Sequence, residues 1–319
     1  MESENKYCNA ENKHEYNNYS KDLKQVILEV IDSCKNDDIT AHIDKPVIPD
    51  TGEVKKILEQ IVDLLYPGFF GNQEIDEHSL EFHIGSEITA IFNELCVQVS
   101  RSLKHSCKDK NSICDNCIKE GQKRSYEFLK KIPEIRKILR TDVIAAMQGD
   151  PAAKSYDEIV FSYPGLKAIT FHRIAHELYL LKIPLIPRII NEHAHTLTGI
   201  DLHPGAKIGP YFFIDHGTGI VVGETTEIGK NVRIYQGVTL GALSLPKETV
   251  EKLRWEKRHP TIKDNVIIYA GTTILGGETV IGENSVIGGN VWLTSSVPPN
   301  STVLNKTPSP HTINNEDLN

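Results

Sequence analysis

Residues 207–240, KIGPYFFIDHGTGIVVGETTEIGKNVRIYQGVTL, decide the architecture. Ile208, Ile214 and Ile220 recur at a spacing of six. Val222, Ile228, Ile234 and Leu240 keep that spacing in a register shifted by two, and Ile262, Ile268, Ile274, Val280 and Val286 resume it further on. A sustained six is the signature of a parallel β-helix, in which each short strand stacks on its equivalent one coil later and one aliphatic residue per hexad points inward. Gly closes the hexads at Ile228-Gly229, Leu275-Gly276, Ile281-Gly282 and Ile287-Gly288, where a corner would be obstructed by a side chain. The solenoid is expected over 199–297. Ala242 to Lys257, with Pro246, Lys247, Glu248, Lys252, Arg254 and Trp255, has no hexad register and is heavily charged. It reads as a loop extruded from one coil, of the kind that serves a site while the scaffold fixes its ends.

Upstream, the period is different. Leu23, Val26, Ile27, Val30 and Ile31, and then Val54, Ile57, Leu58, Ile61, Leu64 and Leu65, recur at three and four, as on amphipathic helices. Breaks are expected at Pro46 and Pro49, at Pro67-Gly68, at the cysteine loop 107–117, at Gly149-Asp150-Pro151 and at Pro164-Gly165. Residues 1–20 have no apolar period and read as a mobile tail. The organisation expected is therefore a tail over 1–20, a helical domain over 21–198, the β-helix over 199–297 with its loop at 242–257, and a C-terminal tail over 298–319.

Thirty-five Lys and Arg against 43 Asp and Glu give a net charge of −8, which argues against a nucleic-acid partner. The N-terminus lacks a basic start and apolar run, and no stretch of about 18 apolar residues occurs, so neither a secretory signal nor a membrane partner is expected and the location read is cytoplasmic. Six cysteines are too few and too uneven for a disulfide framework. Cys96, Cys107, Cys114 and Cys117 cluster, the last three as C-x6-C-x2-C. Such thiolates could close a tetrahedral zinc site, but reduced, partly buried thiols are the preferred reading, and no metal is assigned.

Four segments carry side chains that can move protons or hold an amino acid: 149–153 (GDPAA), 199–206 (GIDLHPGA), 213–224 (FIDHGTGIVVGE) and 257–260 (KRHP). Asp201 and His216 lie fifteen residues apart, close to one coil of about eighteen, so the two are expected to meet on neighbouring coils. A carboxylate beside an imidazole fixes its tautomer and stabilises the imidazolium, as a general base acting on a hydroxyl requires. His172 and His176, four apart on a helix, have no evident third ligand and read as packing or hydrogen-bonding residues. His193 and His195 read as interface or capping residues, and His203 as a groove-lining neighbour of Asp201.

Over about residues 135–300 the chain resembles the serine O-acetyltransferases. The resemblance rests on separated motifs: GDPAAKS (149–155), YPGLKAITFHRIAHELY (163–179), TGIDLHPGAKIG (198–209), DHGTGIVVGETTEIG (215–229), YQGVTLGA (235–242), KRHPTI (257–262) and IGGNVW (287–292). It implies an α+β fold, with an all-helical N-terminal domain followed by a left-handed parallel β-helix of hexapeptide repeats. It implies acetyl transfer from acetyl-CoA, a co-substrate rather than a resident cofactor, to the hydroxyl of L-serine by direct attack. The product would be O-acetyl-L-serine, in the first step of cysteine biosynthesis. Carried over by position, His216 is the general base and Asp201 its partner, while Arg258 and His259 meet the serine carboxylate and Asp150 and Asp215 its ammonium. Gly241, Ala270 and Gly289 take the pantetheine arm, and Lys263 a phosphate. Adjacent strand residues point to opposite faces, so Asp215 and His216 can share a substrate only if the backbone turns a corner there; Gly217 and Gly219 permit one.

The resemblance further implies a homotrimer with sites between neighbouring solenoids, leaves a hexamer open, and suggests L-cysteine as a feedback inhibitor. Docking onto O-acetylserine sulfhydrylase is not expected, because the chain ends Glu316-Asp317-Leu318-Asn319 where the family often ends in isoleucine. Two rival readings are a hexapeptide-repeat carbonic anhydrase, with zinc on three histidines, and a non-catalytic regulatory homologue. The first leaves RHP, GDPAA and the helical half unexplained, and the intact Asp201, His216, Arg258 and His259 speak against the second.

Overall fold

The computed structural model describes residues 15–37, 39–70, 74–107, 114–243 and 256–306. Two compact units divide the chain, one ending at Val47 and the other running Ile48–Asn319. The first holds helix α1, Glu15–Lys35. That helix begins inside the stretch expected to be a mobile tail; residues 1–14 lie outside the described residues. Once the apolar period from Leu23 nucleates a helix, each preceding residue joins for one further hydrogen bond, which is cheap compared with nucleation.

In the second unit, α2 (Thr51–Leu65) starts on Asp50, whose carboxylate accepts from the N–H groups of Gly52 and Glu53 at 2.8 and 2.9 Å. Its buried residues are the six that the three-and-four spacing picked out. There follow α3 (Leu80–His105), α4 (Asp115–Leu129), α5 (Ile132–Gly149), α6 (Tyr156–Ser162), α7 (Pro164–Leu180) and α8 (Ile186–Thr198). Helix α7 is buried on nearly every side. Its Phe171, Ile174, Ala175 and Leu178 pack into an all-helical core with α2, α3, α5 and α8, while Leu166, Ala168 and Ile169 pack against the strands.

Among the described residues, the strands form a left-handed parallel β-helix of five coils, with three sheets as its faces. Its first coil is β1 (Asp201–Leu202), β2 (Lys207–Ile208) and β3 (Phe213–Asp215). The second is β4 (Val221–Val222), β5 (Glu227–Ile228) and β6 (Arg233–Tyr235); the third is β7 (Thr239–Gly241), β8 (Thr261–Ile262) and β9 (Ile267–Ile268). The fourth is β10 (Thr273–Leu275), β11 (Val280–Ile281) and β12 (Val286–Ile287), and the last contains β13 (Trp292–Leu293) and β14 (Thr302–Val303). Leu202, Val222, Leu240, Ile274 and Leu293 stack in one column. Ile208, Ile228, Ile262, Ile281 and Val297 form the second, and Ile214, Ile234, Ile268, Ile287 and Val303 the third.

Two expectations change here. The inward residues of the fourth coil are Ile281 and Ile287, not Val280 and Val286. The corner at Gly276-Gly277, where Gly276 has φ +104°, takes one extra residue and makes the step from Ile274 seven. The coil also runs past 297, because Pro298 and Pro299 fall in a corner that needs no ladder N–H, and β14 then pairs with β12. Of the extruded loop, residues 244–255 lie outside the described residues, as do 307–319 of the expected C-terminal tail.

One corner column follows the second face, and there Asn231, Asn265, Asn284 and Asn300 all adopt positive φ, 55–59°. Each of the first three donates its side-chain amide to the next, at 3.0, 3.0 and 3.1 Å. Asn tolerates that backbone region, and the ladder satisfies its amide. A buried ion pair clamps the helices to the first coil. Arg173 of α7 grips Asp142 of α5 at 2.7 and 2.9 Å and donates to the carbonyls of Ile208 and Gly209, while Asp142 accepts from the Phe212 N–H. Close approach on the same side depends on Gly165, where a Cβ would lie 2.6 Å from the Ile214 carbonyl oxygen.

Candidate active site

Two corners of the β-helix collect the candidate side chains. The first joins β3 to β4. Here His216 has φ +59°, Gly217 +94° and Gly219 +81°, so the chain leaves the strand at His216 and turns. That is the corner required for adjacent residues to face one substrate, and it brings His216 Nε2 to 3.7 Å from Asp215 Oδ1. The other oxygen of Asp215 is held by Arg233 at 2.5 Å, and the Arg233 guanidinium lies over the rings of Phe213 and Tyr235 at 5.0 and 4.7 Å. Asp150 caps the end of α5 and points to the same place. Its carboxylate accepts the Tyr163 hydroxyl at 2.6 Å and the Ala152 N–H at 2.8 Å. Those two bonds, with smaller contributions from Arg233 and His216, hold the Asp150 carboxyl below the usual carboxylate range. The same bond pushes Tyr163 up to about 12. This corner therefore offers two carboxylates and an imidazole that is 74% exposed.

The second corner follows the first face, where β1 turns into β2, β4 into β5 and β7 into β8. His203, Glu224, Thr225, Arg258 and His259 gather here beside Tyr179 of α7. His259 is buried, and its Nδ1 lies 3.1 Å from the Thr225 N–H and 2.9 Å from Thr225 Oγ1. Because Nδ1 accepts, the proton of a neutral ring sits on Nε2. Burial, aided by Arg258 and His203, pushes His259 down to about 4. The ring rests on Gly223, where a Cβ would come within 2.0 Å of it. Arg258 makes an ion pair with Glu224, whose other oxygen accepts the Tyr179 hydroxyl at 3.0 Å. Although burial opposes it, these bonds keep the Glu224 carboxyl below its ordinary value.

Within one chain the structure unites Asp150, Asp215 and His216, and separately unites Arg258 with His259. It does not bring the two groups together: from Gly219 to Gly223 the chain runs about 13 Å along the first face. Asp201 also departs from expectation. It lies on the same coil as His216, because the two extra residues of the His216 corner lengthen that coil to twenty, and its Oδ1 accepts from Asn191 at 2.9 Å rather than pairing with His216. Gly241 ends β7 on the first face, whereas Ala270 and Gly289 stack at the corner column of His216, a Gly289 Cβ falling 3.2 Å from the Ala270 oxygen. Lys263 is exposed where β8 runs into the third corner. His172 and His176 each place Nδ1 against a backbone carbonyl, of Leu202 at 3.4 Å and of Pro204 at 2.7 Å, and His193 stacks on Phe171.

Tyr163 and Glu224 were missed as site residues. Both stand inside quoted motifs, but their partners are 13 and 34 residues away, and only the packing of α5, α7 and the loop return on the coils reveals them.

No protein-family model matches the chain. A serine acetyltransferase of Synechococcus elongatus, plasmid-encoded by its name, is 46% identical over 260 residues, covering 80% of this chain and 81% of that protein. Among solved structures, serine acetyltransferase 1 of Entamoeba histolytica in complex with L-cysteine is 37% identical, with a TM-score of 0.68 over 81% of this chain and 87% of that one. The Neisseria gonorrhoeae serine acetyltransferase in complex with serine is 26% identical, with a TM-score of 0.51 over 80% of this chain and 97% of that one. These similarities give no support to the carbonic anhydrase alternative.

Proposed function

The chain belongs to the serine acetyltransferase family, and from that premise we propose that it transfers the acetyl group of acetyl-CoA to the hydroxyl of L-serine, giving O-acetyl-L-serine and CoA. The supporting observation is the corner at His216, where an exposed imidazole and two carboxylates converge on one point of the surface. In this reading His216 takes the serine Oγ proton as the oxygen attacks the thioester carbonyl. The tetrahedral oxyanion then collapses with loss of the CoA thiolate, and the proton is returned to that sulfur. No acyl-enzyme is needed, since a thioester is already activated. Asp150 and Asp215 receive the serine ammonium, and Arg258 with His259 receive the carboxylate. A neutral His259 donates through Nε2, and Arg258 exchanges part of its hold on Glu224 for the substrate.

We further place the reaction between copies of the chain in a homotrimer, where the His216 corner of one faces the His259 corner of the next and Asp201 can approach His216. Gly241 and the pair Ala270 and Gly289, split in the same way, would line the pantetheine path from both sides, with Lys263 as a peripheral phosphate contact. L-cysteine, a near-isostere of serine, would compete at the same charges. The chain carries no helix, among the described residues, long and apolar enough to cross a membrane, and we assign it to the cytoplasm. The test is release of CoA thiol from acetyl-CoA with and without L-serine. Serine-dependent release with matching O-acetylserine is expected; serine-independent release, or none, overturns the reading.

A further inference from the structure

Outside this site, the hairpin of α3 and α4 carries a chemistry that acetyl transfer does not use. Cys107 follows the end of α3, Cys114 is the residue that opens α4, and Cys117 lies three residues on, buried under the same turn. The three Sγ atoms all lie within 4.8 Å of one another. Cys96, grouped with them along the chain, is not among them.

We propose that Cys107, Cys114 and Cys117 hold a zinc ion that pins the α3–α4 hairpin. A tetrahedral zinc bound by thiolates at about 2.3 Å has sulfur–sulfur edges of about 3.8 Å, so the three sulfurs need to close by no more than about 1 Å. The arrangement supplies the charge such an ion requires. Cys114 sits at a helix N-terminus, where backbone N–H groups favour an anion. Cys117 is buried beside the other two sulfurs, and a thiol that coordinates a metal gives up its proton to it. A redox pair would use Cys114 and Cys117 alone and leave a third sulfur crowded against them without a role; a soft d10 ion uses all three. Cys107 and Cys114 are only half-buried, which leaves the fourth position to water.

The experiment takes the untagged full-length protein, purified without chelator, and measures its metal content by mass spectrometry. One zinc per chain is expected. After stripping and reduction, titration with Co2+ should saturate at one equivalent. It should produce the thiolate-to-cobalt charge-transfer band together with intense visible bands of tetrahedral cobalt. Cys107→Ser and Cys117→Ser should lose those bands, while Cys34→Ser and Cys96→Ser keep them. If reduced wild-type protein takes up no Co2+, if its spectrum lacks the charge-transfer band, or if cells quenched in acid and alkylated without reductant yield a Cys114–Cys117 disulfide, the proposal is overturned. The wild-type titration decides even if a serine variant fails to fold.

Discussion

At the corner after β3, an imidazole stands in solvent with carboxylates on two sides; at the corner before β8, another is buried against a glycine with a guanidinium beside it. One side-chain type is thus given two tasks by its neighbours. An imidazolium formed at His216 faces Asp215 and Asp150, whereas at His259 both burial and Arg258 oppose the charge, so that ring remains a neutral donor. A base that must change charge during turnover needs the first setting, and a residue that orients a carboxylate at constant charge needs the second.

Three perturbations press on that contrast. The largest effect is expected from His216→Ala, which should lower kcat by about 10²–10⁴ while leaving the thermal midpoint unchanged, because the side chain is mostly exposed. Steady-state kinetics beside a melting curve checks both halves, and a loss under tenfold would remove His216 from the role of base. The next concerns stability. His259 is shifted in the fold from 6.5 to about 4, so between those values the unfolded chain binds a proton that the native state refuses. Its contribution is complete above pH 6.5 and fades as pH falls toward 4, by up to about 3 kcal/mol. Urea unfolding at pH 7 and pH 4.5 should show the slope, and His259→Asn should flatten it. The smallest is Tyr163→Phe, which deprives Asp150 of its strongest bond. The acid limb of kcat/KM should move to higher pH, and kcat/KM at neutral pH should fall by about fivefold, the worth of one hydrogen bond of about 1 kcal/mol.

The solenoid could be read from the sequence because its repeat is local: a residue and its successor six positions on obey the same packing rule, whatever the helices do. Even the corner at His216 was announced by Gly217 and Gly219. What escaped was set by single residues or by distant ones. One extra position at Gly276-Gly277 exchanges Val280 for Ile281 as the inward residue, and a six-residue template has no term for that. The Asp142–Arg173 clamp joins residues 31 apart on different helices, and the Asn ladder spans four coils, so neither carries a short-range signature. For the cysteines the spacing was visible, but whether Cys107 reaches Cys114 and Cys117 depended on how α3 returns into α4. The division of the candidate site between two corners was hidden for a related reason: sequence places Asp215, His216, Arg258 and His259 in motifs, but not on edges of a prism.

The third coil is cut open between Leu240 and Ile262, yet both residues keep their rungs, Leu240 between Val222 and Ile274, Ile262 between Ile228 and Ile281. The interruption is therefore neutral to the stacking of every other coil. Closing a longer excursion between two such fixed posts costs only a logarithm of its length. That splice point is where the scaffold would accept a grafted epitope, a reporter or new chain ends without disturbing its ladders.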